Sequence, residues 1–229
     1  MDKQLQEILS SFHQHEINYW LDSGTLLGLM RDGRLLESDR DLDIGIWDTE
    51  LSKLQALLPG FRQAGYQIYA ASYQGRIFKY NLTPGNLKKL RTVDINIFRR
   101  YNDHAWCPMY YFKLSPTTEK KPQAKKSPLK ILRSLLRSTW KALMTKITLN
   151  VHIDRLPWQP FLVIGTWWIP HSFYQQRVFS SRHQAWIPAA WQDCLAFRSG
   201  CGQEPQTDWV FYRDDRGINP LPPQQLISS

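Results

Sequence analysis

Cysteine is scarce in this chain. Cys107, Cys194 and Cys201 are an odd number and form no CxxC pair, which argues against a disulfide framework and leaves reduced thiols as the expectation, with a Cys194–Cys201 zinc half-site as the alternative. Long apolar runs are also missing. The nearest, residues 161–170, falls well short of the ~18 residues that span a bilayer. The opening MDKQLQE lacks the basic-then-apolar pattern of an export signal, so a cytoplasmic chain is expected. No internal repeat is present. Acidic residues all but vanish between Lys113 and Lys146, where ten Lys/Arg face the single acid Glu119. That segment accounts for the entire formal charge of +9, and a partner attracted by charge should meet the protein there.

What is present can fill a core. With 42% hydrophobic residues over 229 positions, the chain suits one large domain or two small ones. Leu5, Ile8, Leu9 and Phe12 recur at helical spacing, and INYWL (17–21) reads as a strand leading into Asp22-Ser23-Gly24-Thr25. TLLGLMR (25–31) reads as a helix that Ser23 or Thr25 can cap, so its N-terminus is an anion site, with Arg31 an added positive charge for a phosphate. A helix over 51–58 is expected to close at Pro59-Gly60, and strands are expected over 66–70, 76–82 and 91–98. Residues 113–128, rich in Lys, Pro, Ser and Thr, read as a loop. Pro128 then starts a basic amphipathic helix. Its apolar stripe is expected to pack inward, with the basic face outward where it can touch an anionic membrane or a phosphorylated acceptor. The organisation expected is a catalytic core over 1–112, a basic loop over 113–128, and a basic helix and aromatic-rich region over 129–229 packed on that core as one globular unit.

The chemistry concentrates between Tyr19 and Trp47. In DLDIGI (41–46) the apolar Leu42, Ile44 and Ile46 alternate with Asp41, Asp43 and Gly45. This period places both carboxylates on one face of a strand. Like charges so close repel, and a cation between them removes that cost. Hard oxygen ligands suit Mg²⁺ or Mn²⁺. Asp39 lies two residues ahead. In TVDINIF (92–98), Asp94 and Asn96 alternate with Val93, Ile95 and Ile97, which supplies a third carboxylate-bearing strand. A metal on strand-borne carboxylates beside a helix N-terminus meets the needs of phosphoryl or nucleotidyl transfer. Gly24, Asp41 and Asp43, then Asp94, stand in the order of the nucleotidyltransferase superfamily.

LDSGTLLGLMRDGRLLESDRDLDIGI resembles the signature of the LicD/fukutin family, in which GTLLG, a nearby Arg and D-x-D-x-D-[IL]-G follow in this order. VDINIF resembles its third-Asp strand, and IPAAWQDCLAFRSGCG with the later DW and DDRGI resembles its C-terminal elements. Ser38, Arg40 and Ser199 depart from the usual pattern. The resemblance implies an α+β fold: a nucleotidyltransferase-like mixed β-sheet flanked by helices, with a helical, aromatic-rich C-terminal part. It implies transfer of phosphocholine or a phospho-alditol from a CDP-activated donor to a sugar hydroxyl of a glycan or lipid-linked sugar, with release of CMP. On that pattern Asp41 and Asp43 hold Mg²⁺ or Mn²⁺ and Asp39 or Asp94 completes the site, Asp94 is also the best candidate for the base, and Ser23, Gly24, Thr25 and Arg31 hold phosphates. Aromatic residues of the tail would cover the donor.

Other readings exist. An EF-hand over Asp39–Glu50 would need Gly at its sixth position, where Ile44 stands. A solvated, charged edge strand is the plainest alternative for the Asp cluster. NTP-dependent nucleotidyl transfer to a small molecule, RNA or protein is the enzymatic rival, and a non-enzymatic basic binding module is the third. No specific nucleic-acid motif is present to support the last.

Overall fold

A computed structural model describes residues 2–85, 90–112, 149–152, 162–200 and 211–219. The basic loop and the helix expected after Pro128 lie outside the described residues, as do Cys201, Trp158 and Trp209. The first helix, α1 (Lys3–Gln14), starts where the Asp2 carboxylate accepts the Leu5 N–H at 3.0 Å. Its stripe of Leu5, Ile8, Leu9 and Phe12 is fully buried, as the spacing demands. There follow β1 (Tyr19–Leu21), α2 (Ser23–Asp32), β2 (Asp41–Trp47), α3 (Leu51–Gln63), β3 (Tyr66–Tyr73), β4 (Arg76–Pro84), β5 (Thr92–Tyr101) and β6 (His104–Phe112). Beyond them lie β7 (Leu149–His152), β8 (Leu162–Pro170), α4 (Ser172–Gln175), β9 (Arg177–Ser180), β10 (Ala185–Pro188), α5 (Trp191–Ser199), α6 (Phe211–Asp214) and β11 (Ile218–Asn219).

The fold is α+β. Its mixed sheet runs β11-β8-β6-β5-β4-β3-β7. β2 joins β5 in parallel, and β1 pairs antiparallel with β2. Leu26 and Leu29 of α2 and Leu54, Leu57, Leu58 and Phe61 of α3 join the α1 stripe against Leu42, Ile44, Ile46, Val93, Ile95 and Ile97. Each such side chain contributes roughly 1.5–3 kcal/mol by leaving water. The alternation that buries these residues turns Asp41, Asp43 and Asp94 to the other side of the sheet. A second core forms there from Trp20, Phe98, Trp167 and Tyr174. Trp20 stacks on Tyr174 with ring centres 4.7 Å apart and crosses Gly45, its register partner. A Cβ on Gly45 would lie 2.3 Å from the indole, so this position admits no side chain.

Two local expectations change. The helix expected to close at Pro59 continues through it to Gln63. One more turn buries Phe61 beside Leu57 and Leu58, which offsets the backbone hydrogen bond that proline cannot make. The α2 helix is capped by neither Ser23 nor Thr25. Asp22 is its N-cap residue and makes no side-chain cap bond, because its carboxylate is engaged elsewhere.

Candidate metal centre

Asp41 and Asp43 share one face at the start of β2, and the parallel register sets Asp94 directly beside Asp43. The loop after α2 returns Asp39 to the same place. One carboxylate oxygen from each of Asp39, Asp41 and Asp43 lies within 4.8 Å of the others. Asp94 accepts hydrogen bonds from Lys79 Nζ and Asn81 Nδ2, both at 2.5 Å. β4 delivers these two donors through its antiparallel pairing with β5, which matches Lys79 with Asn96 and Asn81 with Asp94.

The α2 N-terminus lies against the cluster. The Asp43 N–H donates to Thr25 Oγ1 at 2.8 Å, and the Asp22 N–H donates to the Asp43 carbonyl at 3.1 Å. Ser23 adopts φ of 46°, a left-handed conformation that a serine holds only when its surroundings impose it. Its hydroxyl oxygen is buried and has no hydrogen-bond partner among the described residues. At Gly24 a Cβ would lie 2.1 Å from Asp39 Oδ2, so glycine is what lets Asp39 close over the helix end. Gly24→Ala is therefore expected to displace Asp39 and weaken Mn²⁺ binding at least tenfold while the protein stays folded. Titration calorimetry with circular dichroism checks this. Arg31 stands at the other end of α2, about 12 Å away at ~1.5 Å per residue. Its guanidinium is paired with Asp32 at 2.7 Å, which holds its pKa up.

The electrostatics favour a cation. Lys79 pairs with Asp94 and its charge acts on Asp41 and Asp43 as well. Burial first, then the neighbouring Asp39, pushes Asp41 up to about 7. Burial, followed by the charges of Asp41, Asp94 and Asp39, pushes Asp43 well above the usual carboxylate range. Burial opposes the charge on Lys79, but the Asp94 carboxylate outweighs it and raises its pKa. Hard oxygen donors, a partnerless buried hydroxyl and surplus negative charge together fit a divalent metal.

The sign of the pH dependence follows. A carboxyl whose pKa is raised by folding stabilises the metal-free protein below its unfolded value, near 4, and that contribution is lost as pH rises through about 7 for Asp41. Metal must displace these protons. Mn²⁺ affinity is expected to rise between pH 6 and 8, by about tenfold per pH unit for each proton released. Calorimetry in buffers of different ionisation enthalpy counts those protons.

The sequence pattern brought out Asp39, Asp41, Asp43, Asp94 and the Ser23–Thr25 turn, and all of these meet in space. It missed Lys79 and Asn81. Their signal was the strand RIFKYNL itself, in which both alternate with Phe78, Tyr80 and Leu82. It also missed the support behind the turn. Asp22, fully buried, accepts from Tyr174 Oη at 2.9 Å and Arg198 Nη1 at 2.8 Å. Arg198 donates on its other side to Asp215 Oδ2 at 2.7 Å, which ties the C-terminal region to the turn before α2.

A mixed sheet carrying carboxylates on adjacent parallel strands beside a helix N-terminus has the layout of a nucleotidyltransferase domain. The chain belongs to the LicD/FKTN/FKRP family, whose nucleotidyltransferase domain it matches over residues 16–135. It is 42% identical over 74 residues to the uncharacterized protein RP689 of Rickettsia prowazekii (strain Madrid E), covering 30% of this chain and 28% of that one. Over 68 residues it is 42% identical to the uncharacterized protein RT0683 of Rickettsia typhi (strain ATCC VR-144 / Wilmington), covering 28% and 22%. Less than a third of either relative's length is spanned. A crystal structure of ANT(2")-Ia in complex with adenylyl-2"-tobramycin shares 14% identity, over 44% of this chain and 52% of that one, with a TM-score of 0.33. No helix among the described residues is long and apolar enough to cross a membrane.

Proposed function

We propose that this chain transfers a phospho-substituent, phosphocholine or a phospho-alditol, from a CDP-activated donor to a sugar hydroxyl of a glycan or lipid-linked sugar and releases CMP. The observation that carries this reading is the convergence of Asp39, Asp41 and Asp43 beside Asp94 and the N-terminus of α2, within a family of phosphate-handling transferases. Asp39, Asp41, Asp43 and Asp94 hold Mg²⁺ or Mn²⁺. When bound, the ion neutralises charge on the diphosphate and makes its phosphorus more electrophilic. The Ser23–Gly24–Thr25 turn holds non-reacting phosphate oxygens with its backbone N–H groups and the Ser23 hydroxyl. Arg31 joins them only by exchanging Asp32 for a phosphate. The acceptor oxygen bonds to the phosphorus bearing the head group, the bond from that phosphorus to the bridging oxygen breaks, and CMP departs with the electron pair. Asp94, oriented by Lys79 and Asn81, takes the acceptor proton. The cations of 113–146 contribute long-range attraction for an anionic acceptor or membrane surface.

The test is product analysis. The protein is incubated with Mg²⁺ or Mn²⁺, a sugar acceptor, and in turn CDP-choline, CDP-glycerol, CDP-ribitol and each NTP. CMP released from one CDP-conjugate, with the head group on the acceptor, is expected. Pyrophosphate released from an NTP, with no CMP from any conjugate, would replace this reading by nucleotidyl transfer.

A further inference from the structure

A second polar cleft lies away from the carboxylates. It is about 350 Å³ in volume and is lined by Arg34, Arg91, Arg182 and His183, with Asp2 and Gly33 among its other walls. Four elements meet there: the N-terminus of α1, the loop after α2, the residue before β5, and the turn between β9 and β10. Arg91 lies one residue ahead of β5 and has the same parity as Val93 and Ile95, which face the helices. Asp94 has the opposite parity, so the cleft and the carboxylates lie on opposite sides of that strand.

The charge of the lining is one-sided. Asp2 is its single acid, and one oxygen of that carboxylate already takes the Leu5 N–H. Arg34 is shared with Glu37 at 2.8 Å. The guanidinium of Arg91 and that of Arg182 have no ion-pair partner among the described residues. His183 is only 5% exposed, lines the cleft, and its imidazole makes no hydrogen bond among the described residues. Its ring nitrogens are not among the fully enclosed unpaired polar atoms, so the imidazole opens to the cleft and can bond a ligand there. Burial, with Arg182 beside it, lowers the His183 pKa, which keeps a neutral N–H donor in place without adding to the crowding of positive charge.

Arg182 is also seated. A Cβ on Gly33 would lie 2.8 Å from Arg182 Nη2, and Gly33 closes α2 with φ of 68°. Glycine there serves the helix end and leaves room for the guanidinium. The negative end of the α2 dipole favours the cation at that place.

We propose that this cleft is a binding site for a phosphate monoester, held by the guanidinium groups of Arg91, Arg182 and Arg34 and by the imidazole of His183. Planar guanidinium forks match phosphate oxygens in pairs, and the volume accommodates one phosphate with a small substituent. The ligand is either a soluble phosphate monoester or the phosphate of a lipid headgroup.

Calorimetry with glycerol 3-phosphate, in EDTA so that the carboxylate centre holds no metal, tests the proposal. Wild type and Asp43→Asn are expected to bind equally and saturably, which separates this site from the transfer reading. Arg91→Gln and Arg182→Gln should each weaken binding at least fivefold, and the double variant at least twentyfold. Arg182→Lys, which keeps the charge, should recover part of the loss. A parallel arm compares wild type and the double variant on phosphatidic acid vesicles with phosphatidylcholine vesicles as reference, so that any attraction of the basic residues 113–146 for anionic lipid, the same in both proteins, cancels in the comparison. Loss in the first arm supports a soluble ligand, and loss confined to the vesicle arm supports a lipid headgroup. Equal binding by the double variant in both arms, or no saturable binding by wild type in either, would overturn the proposal.

Discussion

Replacing Asp43 by Asn is expected to raise the melting temperature of the metal-free protein and, in the same variant, to remove the stabilisation that Mg²⁺ or Mn²⁺ gives the wild type. The two effects have one cause. Burial, then the charges of Asp41, Asp94 and Asp39, pushes the Asp43 pKa up, so the ionised form destabilises the metal-free protein. Asn keeps the shape and deletes the charge. For a chain of this size each kcal/mol of relief moves the melting temperature by about 2–4 °C. The same substitution removes a metal ligand at the centre of the cluster. If metal supplies several kcal/mol of charge stabilisation during transfer, activity should fall by about a thousandfold or more. A residue that merely filled space on a charged strand would give neither the rise in stability nor the loss of metal response.

The second large effect is on stability. Arg198→Met leaves Asp22 and Asp215, both buried, without the guanidinium that bridges them at 2.8 and 2.7 Å. Removing one member of a buried charge network costs about 3–5 kcal/mol, because the remaining charges stay desolvated. Denaturant unfolding of Arg198→Met should show a loss of this size. The triple variant Asp22→Asn, Asp215→Asn, Arg198→Met should recover much of it. Arg198→Lys should fall between, since one ammonium cannot reproduce a fork that also lies 5.4 Å over the Trp167 ring. A single variant as stable as wild type would mean that the network does not hold the C-terminal region to the turn.

These two cases mark what the amino-acid pattern makes legible. The alternation in DLDIGI exposes Asp41 and Asp43 because strand periodicity is local, and the stripe of α1 is local in the same way. Asp39 lies outside the alternating strand and carries no such local signal. It reaches the site because the loop folds back on α2, so tightly that a Cβ on Gly28 would lie 2.8 Å from the Arg34 carbonyl. That contact depends on tertiary packing. Lys79 meets Asp94 only through the register of β4 on β5, which no single strand encodes. Arg198 lies 176 residues from Asp22 and reads in the sequence as an ordinary cation near the end of a helix. The aromatic residues of the tail, expected over the donor, include Trp167, which fills the second core instead, beside Tyr174. Periodicity reports a face; it does not say whether that face meets a ligand or another part of the chain.

Asp39, Asp41, Asp43 and Asp94 are proposed here as a divalent-metal centre. Mn²⁺ binding measured by electron paramagnetic resonance tests it most directly, on wild type, Asp41→Asn, Asp43→Asn and the distant control Asp32→Asn at pH 7.5. Saturable binding by wild type and the control, weakened at least a hundredfold by either cluster substitution, is the predicted result. Binding of equal strength in all four proteins would contradict the claim.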